Sequence, residues 1–452
     1  MDVAGKTLVV LGLGASGVAA ARACLSRGAR VVATDSAPLE KLSADARSLV
    51  GLEGLTLIAG NHDGVPWRTS AAIVVSPGVP AIAPVVDADE RGVLVIGELD
   101  LAWQLSGRIP SVAIGGTNGK STTTTLVGEI LEQDGKRTFT GGNLGTPLSA
   151  VVPASGDAPY DVLVLEVSSF QAERMPAFAP KAATILNVTA DHLDRYSSFG
   201  DYAAAKGNML VHMDPSGVVV IPDHDEACRS QARRSRARTV TFGATGDLRI
   251  EPDAIVDGTN GRRYPRSEIR LTGAHNAENV AASIALVTAM GASEDAIRKT
   301  LAEFRGLAHR IEVIADVAGV RYYDDSKGTN VGASVAALRG LSEPKAVLIA
   351  GGRDKLGSYE PLIEALRDRG RALIVIGEAA ERIASAAAGA IETVRAESMD
   401  EAVEQARFLA RPGDAVLLSP ACSSFDMFRD YKHRGEEFAR AVRALAAKEA
   451  AR

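Results

Sequence analysis

Short apolar runs rich in valine, leucine and isoleucine alternate with alanine-rich stretches along almost the whole chain. KTLVVLG leads into GVAAARACLSRG and then RVVATD, so a strand, a helix and a second strand are expected in that order. The rhythm restarts at SVAIGGTNGKSTTTTLVGEILEQDG, and again at KAVLIAGG, RALIVIG and DAVLLSP. Strands alternating with helices in this way imply parallel, doubly wound sheets, and three restarts imply three α/β units. Between Thr239 and Arg270 the pattern turns more polar and shows no long helix, which predicts a β-rich insertion in the middle unit. Junctions are expected at Gly97 to Ser106 and at Glu303 to Leu307.

Length supports that division, since 452 residues make about three domains at roughly 150 residues each. The net charge is −6, and the basic residues are scattered apart from a short run at Arg229 to Arg238, which reads as a solvated helix end. No nucleic-acid footprint is evident. Three cysteines, Cys24, Cys228 and Cys422, lie far apart without a C-x-x-C, which argues against a disulfide framework or a zinc site. The N-terminal run TLVVLGLGASGVAAARA has the apolar look of a signal peptide. Asp2 spoils the positive start, however, and the glycines fall where a strand would turn into a helix. No other apolar run reaches the ~18 residues that span a bilayer. A monomeric cytoplasmic protein with no membrane or nucleic-acid partner is expected.

Two glycine loops carry candidate chemistry. In LGLGASG, Gly12, Gly14 and Gly17 have the G-x-G-x-x-G spacing, and Asp35 follows near where a ribose-binding acid would stand. Alone, this loop is compatible with a nucleotide diphosphate, a nicotinamide cofactor or plain packing of a helix on a sheet. In AIGGTNGKSTTTT, Gly119-Lys120-Ser121 ends a phosphate-binding loop, but Ile114 stands where the first glycine of G-x-x-x-x-G-K-[ST] belongs. Lys120 would reach the β/γ-phosphates, and Ser121 or Thr122 would offer a hydroxyl to Mg²⁺. The next apolar strand, DVLVLEVSSFQ, ends at Glu166, either a second magnesium ligand or a solvated strand end. AATILNVT opens into ADHLDRY, bringing Asn187, Asp191, His192 and Asp194 to the same edge for metal and phosphate, or for turn chemistry. Lys206, on a short helix in DYAAAKGNM, reads by itself as an ordinary surface lysine.

GTNGKST, LEVSSFQ, NVTADHLDRY and GAHN together resemble the central ATP-binding domain of the Mur ligases, the amino-acid-adding enzymes of peptidoglycan synthesis, relatives of folylpolyglutamate synthase. The shortened loop is that family's form. VVSPGVP, DDSKGTN, GGRDK and SPACSSFDMFRDYKHRG are similar to the branch that adds D-glutamate to UDP-N-acetylmuramoyl-L-alanine, and the resemblance spans roughly residues 5 to 440. It implies a Rossmann-like UDP-substrate domain over 1–98, a central P-loop ATPase-like domain with a mostly parallel sheet and a small β insertion over 99–304, and a Rossmann-like domain over 305–452 for the incoming amino acid.

Carried over by motif, the resemblance implies that Gly116, Thr117, Asn118, Gly119, Lys120, Ser121 and Thr122 hold ATP phosphate. Two Mg²⁺ would be held by Ser121, Glu166, His192 and a carbamylated Lys206, since carbamylation turns a repelling ammonium into a bidentate anion. Lys120, His192 and Lys206 are the implied catalytic residues. Asn276, Arg310 and Asp325 match positions holding adenine, phosphate and ribose. Ala15, Ser16, Asp35 and Ser36 match the UDP end by loop position, and Gly78, Asn143 and Ser168 match further substrate contacts. Lys327, Thr329, Lys355, Ser424 and Tyr431 match the region that receives D-glutamate, with tyrosine where the family often has phenylalanine. The implied reaction joins an amine to a carboxylate through an acyl phosphate made from ATP.

Overall fold

The apolar runs form three β-sheets. The computed structural model describes residues 1–155, 159–192, 195–271, 273–354 and 357–450. The first sheet comprises β1 (Thr7–Leu11), β2 (Arg30–Asp35), β3 (Leu55–Ala59), β4 (Ala72–Val75) and β5 (Leu94–Gly97), all parallel, in the order β3-β2-β1-β4-β5. Its inner strands β1 and β4 are almost wholly apolar and buried because both faces are covered. Leu8 and Val10 pack on one side with Ala20, Val31 and Val74, while Val9 and Leu11 pack on the other with Ile73, Val75 and Val85.

The second sheet holds β6 (Ser111–Gly115), β7 (Thr138–Gly142), β8 (Val162–Glu166), β9 (Ala182–Ile185), β10 (Val218–Pro222), β11 (Arg238–Gly243), β12 (Leu248–Ile250), β13 (Ala254–Asp257) and β14 (Arg262–Pro265). Their order is β14-β13-β12-β11-β10-β9-β6-β8-β7. The β-rich segment expected between Thr239 and Arg270 is β11 to β14. It carries this same sheet outward, with β13 and β14 turning antiparallel. The third sheet, β15 (Glu312–Val317), β16 (Val320–Asp324), β17 (Ala346–Gly351), β18 (Gly370–Ile376), β19 (Thr393–Arg395) and β20 (Ala415–Leu418), is parallel except for the β15–β16 hairpin.

The chain packs as two compact units. One comprises residues 1–188, 200–270 and 278–304 and contains the first two sheets; the other comprises residues 189–199, 271–277 and 305–452 and contains the third. The stretch Gly97 to Ser106, where a junction is expected, holds a buried helix, Glu98–Leu105. Its apolar residues are covered, and its two acids are bound to the region after β6. Glu98 accepts from the Ser149 N–H at 2.8 Å, and Asp100 accepts from the Ala177 and Phe178 N–H groups at 2.8 and 3.1 Å. Burial pushes both carboxyls above the usual carboxylate range, against the pull of these hydrogen bonds.

The basic run is a helix end as expected: Arg229 and Arg233 pair with Glu226 on or just past the helix Glu226–Ala232. Among the described residues no helix is long and apolar enough to cross a membrane. All three cysteines are free and buried.

Candidate active site

The loop 116–119 leaves the carboxyl end of β6 and enters the helix Lys120–Gln133, whose first-turn N–H groups face the loop as in phosphate-binding turns. Gly119 is left-handed at φ 85°, and a Cβ there would stand 2.3 Å from Asn279 Oδ1, so only glycine fits. Lys120 folds back over the loop and donates to the carbonyls of Gly116 (2.9 Å) and Thr117 (2.7 Å). Ser121 and Thr122 are buried behind it, and the Thr122 hydroxyl has no hydrogen-bond partner among the described residues.

Lys206 is no surface lysine: it is 3% exposed on the helix Phe199–Gly207. Its ammonium donates to Gly116 O at 2.8 Å and lies 4.3 Å from the Tyr202 ring centroid. Two ammonium groups thus meet at one carbonyl oxygen. Tyr202 also shares a 3.1 Å hydrogen bond with the Thr117 hydroxyl.

Glu166 ends β8 in register with Ile114 of β6, so it emerges beside the loop. It is not a solvated strand end, being 3% exposed. Asn143 grips it twice, through Nδ2–H to Oε1 at 2.6 Å and through its own N–H to Glu166 O at 2.9 Å. Oε2 is buried without a hydrogen-bond partner among the described residues. A lone carboxylate oxygen held away from water is costly by itself, and a hard divalent cation would satisfy it. Ser168 caps the short helix Ser169–Ala172 through a reciprocal capping box with Gln171.

In the first glycine loop a Cβ on Gly17 would fall 1.8 Å from Gly12 O, a close approach of helix to turn. Asp35 braces this loop: its Oδ2 accepts from the Leu13 N–H at 2.7 Å and its Oδ1 from the Ala37 N–H at 2.9 Å. Ala15, Ser36 and Gly78 are exposed, and Ser16 is half-buried.

The other sequence-predicted residues lie in the second unit. Asp325 is buried, and desolvation pushes its carboxyl up to about 7 despite the Arg310 charge, the Ser419 hydroxyl at 2.6 Å and the Ile311 N–H. His309 and Ile311, either side of Arg310, both have left-handed backbone (φ 60° and 52°), and His309 Nδ1 lies 2.7 Å from Asp324 Oδ2. Asn276 is half-buried in the first turn of the helix Ala274–Ala289. Lys327 lies over the Tyr431 ring at 5.4 Å, the Thr329 N–H donates to Lys327 O at 2.9 Å, and Ser424 is buried. His192, left-handed at φ 54°, has its Nε2 3.6 Å from Asp191 Oδ2, and a cavity of about 400 Å³ is lined by Asp191, His192, Asn330, Val335, Tyr359 and Ala421. Lys355 and Asp194 lie outside the described residues.

Sequence reasoning missed Arg434, the largest fully buried side chain among the described residues, which donates to Ser326 O (2.8 Å), Ser326 Oγ (3.0 Å) and Cys422 O (3.1 Å) and ties three candidate-site segments together. Burial pulls its guanidinium down to about 10. The signal was an arginine inside the motif SPACSSFDMFRDYKHRG, whose type alone suggests surface. Cys422 itself shares a 3.2 Å hydrogen bond with the Tyr359 hydroxyl, and burial pushes its thiol up to about 11, so it is no nucleophile at neutral pH. Cys422→Ser is expected to keep turnover within about threefold of the unmodified protein; an inactive but folded variant would overturn that assignment.

Residues 6–97 match the Mur ligase MurD-like N-terminal domain, 114–287 the Mur ligase middle domain, and 309–422 the Mur ligase glutamate ligase domain. The chain is 41% identical to the UDP-N-acetylmuramoylalanine–D-glutamate ligase of Geobacter metallireducens, covering 98% of this chain and 99% of that one. It is 43% identical to the enzyme of the same name from Geotalea daltonii, over 99% of both. Among solved structures, its fold is similar to a pseudomurein peptide ligase type C from Methanothermus fervidus (TM-score 0.61, 18% identity, 98% and 100% covered). It is also similar to Mycobacterium tuberculosis folylpolyglutamate synthase complexed with ADP (TM-score 0.57, 19% identity, 77% and 92% covered).

Proposed function

The chain belongs to the Mur ligase family, and from that premise we propose that it joins D-glutamate to UDP-N-acetylmuramoyl-L-alanine, spending ATP, in the making of a peptidoglycan precursor. The observation that carries this reading to the chemistry is the corner where Lys120 and Lys206 converge on Gly116 O, with Glu166, whose Oε2 has no hydrogen-bond partner among the described residues, ending the neighbouring strand. Residues 1–98 are proposed to take the UDP end, 99–304 the ATP, and 305–452 the glutamate.

A bare carboxylate repels an amine and has no leaving group, so it must be activated. The alanine carboxylate attacks the γ-phosphate of ATP and ADP leaves; the acyl phosphate formed is then attacked by the glutamate amine, which gives up a proton as inorganic phosphate leaves. Lys120 screens the approach of two anions. Glu166, with the Ser121 hydroxyl, His192 and a carbamylated Lys206, is proposed to hold Mg²⁺, which when bound neutralises charge on the phosphates. Asn143 holds Glu166 in place while its remaining donor capacity serves the substrate. Asn276, Arg310 and Asp325 are assigned to the nucleotide, and Lys327, Thr329, Lys355, Ser424 and Tyr431 to the glutamate.

Phosphate release from ATP should require UDP-N-acetylmuramoyl-L-alanine and D-glutamate together. Release that ignores glutamate, or that needs a different amino acid, would overturn the assignment.

A further inference from the structure

A phosphate loop one element short must take its shape from outside, and the two residues after β9 supply it. The parallel pairing of β6 with β9 runs on past Gly115 and Ile185: the Leu186 N–H donates to Gly115 O at 3.1 Å, and the Thr117 N–H to Asn187 O at 2.9 Å. The carboxamide of Asn187 then adds a further rung. Its Oδ1 accepts from the Asn118 N–H at 2.9 Å, and its Nδ2–H donates to Asn118 O at 3.1 Å. This contact is close: a Cβ on Gly116 would meet Leu186 Cβ and N at 3.1 Å each.

Three of the hydrogen bonds that define residues 117 and 118 therefore end on one residue. Asn187 fixes which way these peptide planes turn, and so where the Gly116 and Thr117 carbonyls hold Lys120. The same planes set how the loop enters the helix at Gly119. Only a carboxamide both donates and accepts in this geometry; leucine matches its shape but does neither.

We propose that Asn187 is a positioning residue for the phosphate loop, governing nucleotide affinity through the loop's shape. This rests on the ATP reading above. Calorimetric titration of the full-length protein with ADP and Mg²⁺, and separately with UDP-N-acetylmuramoyl-L-alanine, tests it. Asn187→Leu should weaken ADP at least about tenfold, as expected for two lost hydrogen bonds, and leave the UDP substrate within about twofold. If circular dichroism shows that variant unfolded, Asn187→Asp is read instead; it keeps the acceptor for the Asn118 N–H, loses the donor, and should still weaken ADP by at least about threefold. A folded variant with unchanged ADP affinity, or one that loses both ligands equally, overturns the proposal while the ATP reading stands. Wild-type protein that takes up no ADP removes both.

Discussion

A Lys120→Ala enzyme should lose at least about 10³-fold in kcat/KM for ATP, the upper range for removing one preorganised electrostatic contact at a developing charge. The ammonium is held at the loop by two of its carbonyls. The fold should survive, because Gly116 O keeps its bond from Lys206 while Thr117 O gives up the one from Lys120. That restricts the stability loss to about 1–3 kcal/mol, the range for one unsatisfied buried group. Lys120→Arg should rescue little, since a planar fork cannot follow the curve of two successive carbonyls as an ammonium does. Steady-state phosphate release and thermal unfolding check both halves. Turnover near normal in Lys120→Ala would place the loop outside the chemistry.

The second large effect is expected at Glu166, where Gln and Ala separate charge from shape. In Glu166→Gln the Oε1 contact with Asn143 is retained, and the atom replaced, Oε2, has no hydrogen bond to lose among the described residues. Stability should hold or rise slightly, because a neutral amide costs less to bury than an unpaired anion. Turnover should fall by about 10²-fold or more, with weaker Mn²⁺ binding to the ADP complex, followed by electron paramagnetic resonance. Glu166→Ala should show the same catalytic loss plus a lower unfolding temperature. Unchanged Mn²⁺ affinity in Glu166→Gln would reduce Glu166 to a partner of Asn143.

Determined by sequence alone were the features that depend on neighbours along the chain. A short run such as LVVL, apolar at every position and bounded by Gly5 and Gly12, reads as a strand buried on both faces, and β1 is that strand. GTNGKS between a strand and a helix is a phosphate-type turn because glycine permits its left-handed step. Glu166 could be placed at the mouth of the sheet by counting along an apolar run.

Tertiary structure decided what depends on residues far apart. Lys206 looked like any helical lysine until the fold brought it to a carbonyl 90 positions earlier and buried it. Arg434 reaches Ser326 across 108 positions, and Asn187 reaches Asn118 across 69. Glu98 and Asp100 lie where only a junction is expected, yet each ends on backbone amides of a segment more than 50 residues on. The reason is energetic. A charged or polar side chain prefers water by default, and only partners supplied by the assembled fold offset the cost of burying it. Residue type therefore announces the default, and the exceptions, which here include the residues around the phosphate loop, exist only once the chain has closed on itself.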